Sequence, residues 1–242
     1  MADRDGMGQM SMYSTVAGRP YRIALLNPNT STDATATMVA SARRAAPAGV
    51  HIEGRTVGEG QELIADPQAL AQAARVVEAA APALVAEGFD AIIVAGFGDP
   101  GVVALRQGLS VPVTGLGEAG IAEAAQGGLR YAIVTVTPGL HQSLVAAAHA
   151  HAEPSQLAAV RYTQGLLREV MLTPEDLAAA LLNACQDAIA LDGAQSIVIG
   201  GGPLARAAQD IAGRLHVRVV DPVGAAVRLA CRRAGRPGCM TG

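Results

Sequence analysis

The 242-residue chain is 50% hydrophobic and 16% charged, with a formal net charge of −3. That length can bury a substantial core in one large or two modest domains, and the lack of a basic excess argues against nucleic acid or an anionic membrane surface as partner. Trp is absent, and two Phe and four Tyr are too few for base-stacking or sugar-stacking platforms.

Residues 1–20 (MADRDGMGQMSMYSTVAGRP) are polar and rich in Gly and Met. They contain no apolar h-region, so they read as a flexible extension rather than a signal peptide or a membrane span. Residues 22–26 (RIALL) form the first predicted strand, followed by the loop NPNTST, a helix over 32–45, a strand over 51–56 and a long helix over 67–87. The run AIIVA at 91–95 is continuously apolar, as a strand buried on both faces requires, and GFGDPG and a helix over 102–107 follow it. A strand is predicted at 111–114, a helix at 118–126, a strand at 131–135 (YAIVT) and a helix from Pro138. The helix over 173–191 has a well-marked start, with Thr173 as N-cap, Pro174 at the first helical position and Glu175 and Asp176 in the first turn. The strand SIVI at 196–199, GGGP, a helix to residue 215, a strand at 217–220 and a helix over 223–232 complete the pattern, and the end reads as a frayed tail. Strands alternating with helices in this way predict βαβ units and a parallel sheet.

The three cysteines, Cys185, Cys231 and Cys239, include no C-x-x-C pair. A disulfide framework or structural zinc site is not expected, and a cytoplasmic location is. Cys185 falls mid-helix among Leu181, Leu182 and Ile189, Cys231 near the end of the last helix and Cys239 in the tail, so all three read as small core or surface residues.

An internal repeat is the most informative feature. Residues 90–125 and 194–230 run in step with one small gap: a buried strand, a glycine turn, a short helix, a second strand and another helix. Units so far apart indicate duplicated halves rather than a solenoid. Residues 21–116 plus 217–235 are expected to form the first half and 117–216 the second, with 236–242 as a tail. In open parallel sheets ligands bind beyond the carboxyl ends of the strands. Two facing halves therefore bring GFGDPG and GGGP to opposite walls of one cleft.

The ordered set NPNTS, GFGDPG, GLGEA and DGAQSIVIGGGP resembles the aspartate/glutamate/hydantoin racemase superfamily, and within it the hydantoin and allantoin racemase branch, over roughly residues 22–230. The resemblance implies an α/β fold of two pseudo-symmetric, Rossmann-like parallel-sheet halves with the active site between them. It also implies two cysteines, one per half, acting as cofactor-free bases on opposite faces of a carbon next to a carbonyl, a task that suits a tunable thiolate. The chain departs from that pattern: the first cysteine would fall at Gly96 and the second at Gly201. Glycine has no side chain to move a proton, so a two-cysteine racemase mechanism is not tenable here.

Other residues are candidates for the cleft. Asn27, Asn29 and Thr30 end the first strand and can hold a carboxylate or ring carbonyl together with backbone N–H groups, although helix capping explains them too. Gly96, Phe97 and Gly98, with Gly200, Gly201 and Gly202, offer unencumbered amides for an oxyanion. Thr135 and Thr137 end the YAIVT strand, and Pro138 makes Thr137 equally a natural N-cap. His141 is the best-placed group able to take a proton near neutral pH. Asp99, Glu118 and Asp221 follow strand-end turns and fit either a cap or a place in the cleft. His149 and His151 read as a solvated helix face, and His51 and His216 as peripheral. No P-loop, H-E-x-x-H, G-x-S-x-G or full Rossmann fingerprint is present, and no nucleotide, metal or organic cofactor is expected.

Three readings follow. The first is a cofactor-independent enzyme acting on a small carbonyl, carboxylate or hydantoin-like compound. It stabilises an enolate-type anion without cysteine, using His141, Asp99, Glu118 or substrate-assisted proton transfer, with lyase, isomerase or hydrolytic outcomes. The second is a racemase with replacement bases, and the third a non-catalytic ligand-binding relative. A small-molecule substrate and a homo-oligomer are expected; nucleic-acid and membrane partners are not.

Overall fold

The computed structural model describes residues 19–235. Its first sheet is formed by β1 (Tyr21–Asn27), β2 (Val50–Thr56), β3 (Ala91–Val94) and β4 (Val113–Gly115), in the order β2-β1-β3-β4. A second sheet contains β5 (Tyr131–Thr135), β6 (Leu157–Tyr162), β7 (Ser196–Ile199) and β8 (Arg218–Val220), in the order β6-β5-β7-β8. All pairings are parallel, and the two orders are the same permutation of successive strands. The duplication read from the repeat is therefore a duplication of topology.

The helices α1 (Thr32–Ala45), α2 (Pro67–Ala86), α3 (Val102–Gly108), α4 (Leu116–Ala124), α5 (His141–His151), α6 (Leu167–Val170), α7 (Pro174–Ala190), α8 (Ala205–Ala212) and α9 (Pro222–Arg233) cover the sheets. Several starts carry the expected chemistry. Ser31, Asp66, Thr173 and Asp221 are N-caps whose side chains accept from the first-turn amides of α1, α2, α7 and α9, with Pro in the first turn of the last three.

Strand alternation sorts the core into three layers. Ile93 of β3 and Val198 of β7 point into a central cluster shared by both halves, with Met38, Leu116, Ile133 and Val227. Ile92 and Val94 point outward to Val77, Leu84 and Leu105 of α2 and α3. Ile197 and Ile199 point to Leu181, Cys185 and Ile211 of α7 and α8. Both faces are covered, which is why these strands read as unbroken apolar runs; each buried branched side chain contributes about 1.5–3 kcal/mol.

Two expectations are corrected. The segment 217–235 does not go over to the first half as a unit. β8 pairs with β7 in the second sheet, Ile197 opposite Val219, while α9 crosses to pack on β3, β4 and α1. α4 crosses in the opposite sense, from β4 onto β7 and β8, and packs along α9. Each half thus lends its last helix to the other, because the central cluster needs apolar cover from both sides. In addition, β6 lies in a segment from which no strand is read. Its sequence LAAVRY is half-buried throughout, an edge strand without the continuous apolar run of β3 or β7.

Candidate active site

A cavity of about 70 Å³ lies beyond the carboxyl ends of β1, β3, β5 and β7. At 10–15 Å³ per water it holds roughly five waters, the scale of one small ring compound. The first half contributes Asn29 and Gly96, Phe97 and Gly98; the second contributes Thr135, Thr137 and Gly200, Gly201 and Gly202. The two glycine turns therefore meet across one cleft. Around them Leu63, Ile64, Leu70, Leu140, Leu144 and Met171 form an apolar surround.

The hydrogen-bond polarity of the lining is set by groups behind it. Asn27 is fully buried, and its Nδ2 donates to Asn29 Oδ1 at 2.8 Å and to Thr35 Oγ1 at 2.9 Å. Asn29 Oδ1 also accepts from the Ser31 amide at 2.9 Å. With its oxygen so engaged, Asn29 offers its Nδ2 to the cavity as a donor. Asn27 itself does not line the cavity but holds Asn29 in place, and Thr30 donates its amide to Gln61 O at 3.1 Å outside it. Thr135 Oγ1 donates to Gly200 O at 2.6 Å and lies 3.3 Å from Thr137 Oγ1. Its single proton is committed, so Thr137 is the donor within the pair and presents lone pairs to the cavity. The capping role read for Thr137 is not found: its side chain makes no cap hydrogen bond to the turn at Pro138–Leu140. The amides of Gly96, Phe97, Gly98 and Gly202 have no hydrogen-bond partner among the described residues.

The three proton-moving candidates lie elsewhere, and among the described residues no Asp, Glu, His, Cys, Lys or Arg lines the cavity. His141 opens α5 on the exposed side, with Nδ1 2.7 Å from Tyr162 Oη. The helix rotates about 100° per residue, so with Leu140 and Leu144 turned inward His141 faces out. Glu118 is buried in α4. It reaches back to the Gly115 amide at 2.9 Å, accepts from Arg233 Nη1 at 2.7 Å and Nη2 at 3.1 Å, and also pairs with Arg106. Burial pushes its carboxyl up, but Arg233, the Gly115 amide and Arg106 outweigh that and hold it below the usual carboxylate value. Asp99 turns away from the cavity and caps α4 rather than its own helix. Asp221 caps α9, its Oδ1 accepting from Val223 N–H at 2.9 Å.

Sequence reasoning also missed His151, which is not simply a solvated face: its Nε2 lies 3.7 Å from Asp99 Oδ2. Cys185 and Cys231 are buried away from the cavity, and burial pushes the Cys185 thiol up to about 12. Cys239 lies outside the described residues.

The family model for Asp/Glu/hydantoin racemase matches residues 23–230. The chain belongs to the Asp/Glu/hydantoin racemase family. This racemase-family chain is 30% identical over 214 residues to hydantoin racemase of Paenarthrobacter aurescens, covering 86% of this chain and 89% of that one. In structure it is similar to the allantoin racemase from Klebsiella pneumoniae, with TM-score 0.82, 30% identity and 88% of each chain covered. It is also similar to the allantoin racemase of Pseudomonas fluorescens, with TM-score 0.76, 30% identity, and 88% and 92% covered. These relatives support the superfamily and the hydantoin/allantoin branch read from the motifs, and a racemase-type enzyme.

Proposed function

We propose that this member of the racemase family is a cofactor-independent enzyme for a small, uncharged carbonyl ring compound of the hydantoin type. It stabilises the enolate-type anion of that compound with backbone amides and uses no cysteine base. The observation that carries the reading is the lining itself: unpaired amides from both glycine turns converge on one small cavity that no ionisable side chain enters among the described residues.

Several features support an uncharged ring over a dicarboxylate. Among the described residues no lining cation is available to neutralise a carboxylate, and an unpaired buried charge is costly. The donors, Asn29 Nδ2 and the turn amides, suit ring carbonyl oxygens, and the Thr137 lone pairs suit a ring N–H. The relatives carry the names hydantoin and allantoin racemase. Gly96 and Gly201, where on the resemblance the family's two cysteines would stand, both line the cavity, from opposite halves.

The chemistry follows from what the lining offers. When the carbon beside a carbonyl loses its proton to a water, the C–H pair becomes the C=C bond of the enolate and the carbonyl π pair moves onto the oxygen. The turn amides meet that charge, a type of contact in which one donor is worth about 10²–10³ in rate. Return of a proton from water to either face gives exchange and racemisation; loss of a substituent instead of the proton gives lyase chemistry through the same anion.

The test is incubation with hydantoin, allantoin and malonate-type acids in D₂O, following α-deuteration and new products by NMR. Deuteration of the ring compounds faster than in buffer is expected. Binding of these compounds without deuteration or product overturns the catalytic reading, and turnover confined to the malonate-type acids overturns the substrate class.

A further inference from the structure

Asp99 directly follows the cavity-lining turn 96–98 and, at φ +49°, is the one non-glycine residue with positive φ among the described residues. Among L-residues that conformation is uncommon, and Asp and Asn adopt it most readily. Its effect is to turn the carboxylate away from the cavity and onto the start of α4. Oδ1 accepts from the Gly117 amide and Oδ2 from the Glu118 amide, both at 2.7 Å. The N-cap of α4 is Gly115, which has no side chain to serve its own helix, so Asp99 caps it from a different turn. The fit is close. A Cβ on Gly115 would run into the Asp99 carboxylate, and one on Gly117 into the Phe97 carbonyl. The turn GFGD and the turn GLGE are therefore keyed into each other. On the far side, His151 Nε2 of α5 stands 3.7 Å from Asp99 Oδ2.

We propose that Asp99 is a positioning residue for the cavity: its ionised carboxylate, through two hydrogen bonds to α4, holds the amides of Gly96, Phe97 and Gly98 where they face the ligand. The inference rests on the reading that those amides meet the substrate anion. A carboxylate has strong acceptor sites on both oxygens, whereas a protonated one converts an oxygen into a hydroxyl, and one of the two ties weakens.

The charged and titratable groups around Asp99 are Glu118 of α4, Arg106 of α3, Arg233 of α9 and His151 of α5. Burial pushes Asp99 up to about 7, against the pull of the Gly117 and Glu118 amides; the Glu118 charge adds to the rise and Arg106 opposes it. Burial lowers His151. Asp99 thus titrates near neutrality, and the tie between the two turns is set and released there.

The experiment follows the backbone amide resonances of Gly96, Phe97, Gly98, Gly117 and Glu118 in the ¹⁵N-labelled full chain from about pH 5 to about pH 9. A single shared step with a midpoint at about 7 is expected at all five, and its loss in Asp99→Asn, whose side chain tolerates the same φ. His151→Phe keeps the shared step and moves its midpoint. Steps at Gly117 and Glu118 with flat resonances at 96–98 overturn the proposal, as does no step at any of the five, or a step that survives in D99N. If D99N does not fold, the wild-type co-titration decides. In a second arm, hydantoin affinity rises with pH across the same step in the wild type and is flat in D99N. Absence of hydantoin binding at every pH overturns the substrate reading and leaves the amide titration to judge Asp99.

Discussion

Thr135 and Gly200 are 65 residues apart, yet the Thr135 hydroxyl donates to the Gly200 carbonyl at 2.6 Å. The bond ties the carboxyl end of β5 to the glycine turn after β7, and it commits the only proton Thr135 has. Its removal should therefore affect both the turn and the polarity of its neighbour. Thr135→Val keeps the side-chain shape and leaves a buried carbonyl without its donor. A loss of about 1–3 kcal/mol is expected, read as a lower urea midpoint at unchanged m-value, together with weakened hydantoin binding.

His141 faces Tyr162 and solvent, not the cavity. His141→Ala should leave deuterium exchange of hydantoin at the wild-type rate. A drop in that rate would return His141 to the chemistry.

The two cavity glycines at positions 96 and 201 differ in what a side chain would meet. A Cβ at Gly96 would lie 2.9 Å from Pro28 Cγ and 3.1 Å from Pro100 Cδ, two rigid rings. At Gly201 it would lie 3.1 Å from Leu204 Cδ1, the far end of a flexible side chain. Gly96→Ala should cost about 1–3 kcal/mol by overpacking. Gly201→Ala should be near neutral, since alanine also reduces the entropy of the unfolded chain. Denaturant unfolding of the two variants checks the order. By the same geometry, a thiol is easier to restore at 201 than at 96.

Glu118 and Asp99 should move stability in opposite directions with pH. Glu118 is held below its ordinary value when folded, so its contribution is present above that value and is lost as pH falls through the folded one. Asp99 rises from 3.8 to about 7 on folding. Its contribution is present below 3.8 and is lost as pH rises to about 7. In D99N the decline in unfolding free energy over that upper window should flatten, while the acid limb set by Glu118 remains.

Arg233 donates twice to the buried Glu118 carboxylate. Arg233→Ala leaves Arg106 as the remaining cation there, so the loss should fall short of a fully orphaned charge, at about 2 kcal/mol. Its signature is a larger deficit at pH 7 than below the Glu118 titration, measured by urea unfolding at both.

The amino-acid sequence by itself determined the layered α/β pattern, because strands buried on both faces must be unbroken apolar runs such as AIIVA and SIVI. Its repeat also determined that two glycine turns would face each other, since duplicated units place equivalent loops at equivalent strand ends. β6 escaped it: an edge strand buries only part of its surface, and LAAVRY carries no period to read. Only the tertiary structure decided which half received β8 and which received α9, because backbone pairing and helix packing follow different surfaces. It also decided the fate of the charged candidates. Asp99, Glu118 and His141 all lie near strand ends in sequence, but a positive φ, an arginine pair and one step of helical rotation send each of them away from the cavity. What a side chain faces is set by backbone torsion and by its neighbours, and neither is written in its position along the chain.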